Sequence, residues 1–199
     1  VTGQSIRTLR AHHQIPAALK FSPDGKKLNF TSEKGTVHTW DLEACRKETP
    51  DAPSNTYNRI TFGQNGFRRQ RLSDEGIQAT TANGQTGVRF ERGDGVYTPV
   101  LVDLNNLEPI RQLMPANLGH HAIKKAVFSK DGKRLLLIPA TELKERTTCY
   151  VWDVPSGALL HRFPDPEDSY ALAGAFSSNG DQLLLGTWNR AVHLYELTN

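Results

Sequence analysis

One turn between apolar segments recurs along the chain: "FSPDGKKLNF" at 21 to 30, "FSKDGKRLLL" at 128 to 137 and "FSSNGDQLLL" at 176 to 185. Repetition with a period of tens of residues constrains a fold more than any local pattern, because each copy is a supersecondary unit that buries its apolar faces only against its neighbours. The turn glycines are Gly25, Gly132 and Gly180. A fourth copy fits the long gap at "TTANGQ", 80 to 85, since the interval from Gly84 to Gly132 equals that from Gly132 to Gly180. The other register, "LSDEG" at 72 to 76, sets Arg69 and Arg71 on the strand that should be buried deepest, and the first is preferred.

Each copy has the same sequel of a short apolar strand, a second turn, and a strand ending in an aromatic or apolar residue followed by an acid. These endings are "VHTWDL" at 37 to 42, "VLVDL" at 100 to 104, "YVWDV" at 150 to 154 and "HLYEL" at 193 to 197. A polar turn and a further strand come next, as in "PSGALLHRF" at 155 to 163. Short runs rich in Val, Leu and Phe, separated by Asp-Gly, Asn-Gly and Ser-Gly, describe antiparallel meanders. No segment keeps a 3.6-residue period over a helical length. The chain reads as all-β.

These residues resemble the WD-repeat β-propeller family, whose units run from a Gly-His pair through a Phe-Ser-Pro-Asp-Gly turn to a Trp-Asp ending. Repeat one matches as His12, "FSPDG" and Trp40-Asp41, and repeat three as Gly119-His120, "FSKDG" and Trp152-Asp153. Repeat four carries "FSSNG" and Tyr195-Glu196, and repeat two, with Val102-Asp103, matches only by position, so two of the four repeats are degenerate. The resemblance implies a β-propeller of four-stranded antiparallel blades, stacked face to face about a central channel. A single unit spans 1–199, with repeats near 1–42, 43–104, 105–154 and 155–199.

"VTGQSIRTL" at 1 to 9 aligns with "VPSGALLHRF" at 154 to 163, which sets the chain's opening in mid-blade. The resemblance supplies a reason: the N-terminal outer strand completes the last blade, with Ser5, Ile6, Arg7, Thr8 and Leu9 as the ring-closing clasp. Rings of this family usually hold more than four blades, and an incomplete ring would leave two apolar sheet faces open, the mark of an interface. Two arrangements meet this: a homodimer completing an eight-bladed ring, or a fragment whose missing blades belong to the same longer chain.

Composition narrows the function classes. With 37% hydrophobic and 8% aromatic residues, 199 residues can bury a core without disulfides or metal. A formal charge of +3, from 24 Lys and Arg against 21 Asp and Glu, is far from the clustered basicity that phosphate backbones demand, so nucleic acid is not an expected partner. Cys45 and Cys149 form no CxxC pair and lack zinc-site spacing, which suits a reducing, cytoplasmic setting. Runs such as "LLLIPA" at 135 to 140 are too short to span a bilayer, and no membrane or cofactor is implied.

In the family, the Gly-His histidine, a Ser or Thr, an Asp in the later turn and the Trp form a structural hydrogen-bond network. The positions carried over are His12, Ser32 and Trp40 in repeat one and His120 and Trp152 in repeat three. Lys34 stands where repeat one should have the Asp, and repeat four has Thr187, Asn189 and Tyr195 with no preceding histidine. The pairs His12-His13 and His120-His121 invite a metal reading, but adjacent strand residues point apart and no carboxylate or thiol lies at ligand spacing. "RGD" at 92 to 94 reads as a hairpin turn, and "FRRQR" at 67 to 71 as either an anion contact or a solvated strand. No catalytic constellation emerges from spacing.

What remains is recognition. The loops after the second strand of each blade form the family's usual docking rim, and repeats two and three are lengthened there by "RGDG" and "TELKERTT". The expected partner is a protein, and the partner-binding candidates are Trp188 in "TWNR", its flanking Arg190, and Glu33 at the equivalent position of repeat one. Packing of Trp188 on its own neighbouring loop is the competing account. His193 is not assigned, since alternation alone does not tell which way it faces. A non-catalytic interaction scaffold is therefore expected, against a regulatory or sensor module of a larger enzyme, or a channel-based enzyme or ligand binder.

Overall fold

The computed structural model describes residues 4–10, 14–43, 77–93, 96–113, 123–140, 148–164 and 169–197. Among them are fifteen strands in four antiparallel sheets. One sheet runs β5 (Ile77–Thr80), β6 (Thr86–Gly93), β7 (Val96–Asp103), β8 (Pro109–Gln112); the next β9 (Ile123–Phe128), β10 (Arg134–Pro139), β11 (Thr148–Asp153), β12 (Leu159–Pro164). A third places β1 (Gln4–Arg10) beside β15 (Ala191–Glu196), followed by β14 (Gln182–Thr187) and β13 (Ala171–Phe176). The last holds β2 (Pro16–Phe21), β3 (Lys27–Ser32) and β4 (Val37–Asp41). Residues 44–76, where a fourth strand of this sheet falls by sequence, lie outside the described residues. No helix among the described residues is long and apolar enough to cross a membrane.

The recurring turn is one local device used four times. Ser22, Thr81, Ser129 and Ser177 each accept at the carbonyl the N–H of the turn glycine, at 2.9 to 3.0 Å. Their hydroxyls donate to Asp24, Asn83, Asp131 and Asn179, at 2.5, 2.7, 2.6 and 2.7 Å. The same oxygens accept the N–H of Lys27, Thr86, Arg134 and Gln182. Gly25, Gly84, Gly132 and Gly180 take φ of 70, 69, 73 and 78°, a region that L side chains rarely enter. The copy at Thr81 to Thr86 obeys the same chemistry, so the second repeat turns at Gly84.

Packing follows from alternation on strands buried on both faces. The β10 run from Leu135 to Ile138 is fully buried: Leu135 and Leu137 meet Val88 and Leu101, while Leu136 and Ile138 meet Leu183 and Leu185. On β14, Leu184 turns the other way and joins Val192 and Leu194 against Phe21, Leu28, Phe30 and Trp40. Each such side chain contributes about 1.5–3 kcal/mol by leaving water. The sheets are thus stacked in the order β5–β8, β9–β12, β13–β15 with β1, then β2–β4.

Among the described residues the far face of the β2–β4 sheet is mixed, with Val37 paired opposite Thr31 and Thr39 opposite Asn29. Asn29, Thr31 and Thr39 point away from the Leu28 and Trp40 side, and Thr39 Oγ1 donates to Asn29 Oδ1 at 2.6 Å. Hydroxyl and amide groups that pair with one another tolerate water there. On the inner strands, Lys125 Nζ donates to the Ala17 carbonyl at 2.8 Å, tying β9 to β2 past β13. Burial, and then the neighbouring Lys124 charge, hold this ammonium below the usual lysine range.

The strand β1 runs antiparallel to β15, from Gln4 opposite Glu196 to Arg10 opposite Ala191. Ser5, Ile6, Arg7, Thr8 and Leu9 all lie in it. A register shift between Ser5 and Arg7 leaves Ile6 without a partner residue and 46% exposed, whereas Leu9 packs on the cluster around Leu28 and Leu194.

Candidate protein-interaction surface

A second turn joins the middle strands, and it has the same build in adjacent sheets. In the β3–β4 turn, the Gly35 N–H meets the Ser32 carbonyl at 2.9 Å and the Thr36 N–H meets Ser32 Oγ at 3.2 Å. In the β14–β15 turn, the Arg190 N–H meets the Thr187 carbonyl at 3.1 Å, and Thr187 Oγ1 lies 2.6 Å from Asn189 Oδ1. Ser32 and Thr187 are 3% and 1% exposed, so these hydroxyls are structural.

Each turn also leans on the segment that leads into its own sheet. The Glu33 N–H donates to the Ile15 carbonyl at 3.2 Å, and the Trp188 N–H to the Tyr170 carbonyl at 3.0 Å. The Asn189 N–H adds a bond to Ser169 Oγ at 3.1 Å. Trp188 stacks on Tyr170, with centroids 5.7 Å apart and planes at 12°, yet remains 44% exposed. One face of the indole is therefore fixed and the rest is open. Arg190 and Glu33 are both exposed, the first beside Trp188 and the second at the matching place one sheet away.

Tyr170 was not singled out from the sequence. Its signal is positional: it occupies the place of Ile15, and an aromatic there is within reach of the turn residue above it. Of "RGDG", Arg92 and Gly93 end β6, whose pairing with β7 runs to Gly93 opposite Val96, and Asp94 and Gly95 fall outside the described residues. His12, His120, "FRRQR" and most of "TELKERTT" fall outside the described residues.

Among the network candidates, Ser32 Oγ serves Thr36, and Trp40 stacks on Phe30 at 4.6 Å, which stacks in turn on His38 at 4.5 Å. Trp152 is fully buried and its Nε1 has no hydrogen-bond partner among the described residues. Pro139 stands where Ser32 and Thr187 stand in the β2–β4 and β13–β15 sheets, so its sheet has no hydroxyl at this position. Among the described residues no group of three or more His, Cys, Asp or Glu side chains could hold a metal ion.

Residues 3–41 match the family described as WD domain, G-beta repeat. The matched unit starts at β1 and ends with β4, so the sequence repeat straddles two sheets. The chain thus carries a WD repeat at residues 3–41 within an all-β, propeller-like set of antiparallel sheets. WD repeats in general mediate protein–protein contacts and act as non-catalytic scaffolds.

Proposed function

We propose that this chain is a cytoplasmic, non-catalytic scaffold that presents the rim bearing Trp188, Arg190 and Glu33 to a protein partner. The observation that supports it is the Trp188–Tyr170 stack: an indole nearly half exposed, held flat by a neighbour and by two backbone bonds. A side chain ordered before binding loses little rotamer freedom on docking, and Trp and Arg are the residue types that dominate binding energies. Capture of a partner by the wild-type chain, its identification and a titration against Trp188→Ala test the reading. A weaker complex with an unchanged melting curve supports it, and equal affinity for both chains removes this rim from the interface.

A further inference from the structure

The seam between β1 and β15 contains one titratable side chain in an unusual setting. Thr8 and His193 stand directly opposite each other in the pairing, and Thr8 Oγ1 lies 3.1 Å from His193 Nδ1. The other ring nitrogen, Nε2, is buried and has no hydrogen-bond partner among the described residues. A neutral imidazole fits this site with its proton on Nδ1, donated to the Thr8 hydroxyl, and a bare lone pair on Nε2. An imidazolium fits poorly, because it needs an acceptor for the second N–H and a counter-charge, and the described residues supply neither.

The groups around the ring do not relieve this. From β1, Arg10 shares the face of Thr8 and adds a positive charge. From β15 itself, Tyr195 stands 6.3 Å away, and β14 presents Leu185 directly opposite. Across the sheet interface, Phe163 meets Tyr195 at 4.6 Å and His161 lies 5.9 Å beyond it, while Cys149 of β11 joins the same cluster. Among the described residues the titratable and charged groups on this side are thus Arg10, Tyr195, His161 and Cys149, with no carboxylate.

We propose that β1 is an acid-released latch on the β13–β15 sheet, with His193 as its proton sensor. Because among the described strands β1 is paired with β15 alone, detaching it is the smallest rearrangement that brings water to a protonated His193. Burial already lowers the His193 pKa from its ordinary value of 6.5, which favours the neutral ring in the folded chain. A lowered folded pKa places this contribution to stability fully above pH 6.5, and it is lost as pH falls through the folded value. Release uncovers the edge of β15, a ready template for pairing with another strand.

His38, also lowered by burial, sits on β4, so a global melting curve would mix the two histidines. Hydrogen exchange of the β1 amides, corrected for intrinsic rates and compared with β10, isolates the latch. Between about pH 7.5 and about pH 5, wild-type β1 should lose roughly tenfold more protection than β10. His193→Gln should abolish that difference. Thr8→Asp, which sets a carboxylate against the ring, should shrink or reverse it even if the Gln variant folds poorly. Protection of β1 that tracks β10 throughout, or acid release that persists in both variants, overturns the proposal.

Discussion

Arg190 holds a left-handed backbone, φ 66°, at the turn position that Gly35 fills with φ 79° in the neighbouring sheet. For a side chain with a Cβ this conformation costs about 1–2 kcal/mol, and strain of this kind is often retained where the side chain has a task.

The first prediction uses that pair. Arg190→Gly should leave stability unchanged or raise it by up to about 1 kcal/mol, a shift of about 2–4 °C in the melting midpoint. Partner affinity should fall in the same variant. A lowered midpoint in calorimetry would mean that the guanidinium, not the backbone, governs this turn.

Trp188 separates binding from folding. Trp188→Ala should weaken the partner complex by about 2 kcal/mol, roughly thirtyfold, while stability changes by no more than about 1 kcal/mol. Tyr170→Ala should weaken the complex by a smaller amount, because the indole loses its platform but keeps its own contacts. Calorimetric titration of both variants reads the order, and a larger loss in the Tyr170 variant would place the contact on the phenol instead.

Close approach between sheets yields a third prediction. A Cβ added at Gly186 would come within 2.9 Å of Pro16 Cβ, and a ring carbon on β2 has little freedom to yield. Gly186→Ala should cost about 1–3 kcal/mol in urea unfolding, with the slope unchanged. Retention of full stability would show that the β2–β4 sheet slides easily on β14.

The strand β1 offers a paired test. Removing residues 1–9 takes away most of the β15 pairing and the buried contacts of Leu9, so stability should drop by several kcal/mol and the exposed edge should promote association. Ile6→Lys, at the bulged and exposed position, should stay within about 0.5 kcal/mol of wild type. Thermal melts and light scattering separate these outcomes, and a truncated chain that melts like the intact one removes β1 from the stabilising structure.

The sequence by itself determined the turns, the strands and the order in which they follow one another. The reason is local: a Ser or Thr, an Asp or Asn two residues on and a glycine after it close a hydrogen-bonded turn with no help from distant residues, which is why Gly84 was legible despite its degenerate surroundings. The exposed place of Trp188 could likewise be read from its turn. Tertiary structure alone decided what lies across from each strand. That His193 meets Thr8, that Tyr170 supports Trp188, that Lys125 reaches Ala17 and that Asn29 pairs with Thr39 on an outer face all depend on register and on how sheets stack. A single shift such as that between Ser5 and Arg7 changes which side chains face inward, and short-range sequence chemistry carries no record of it.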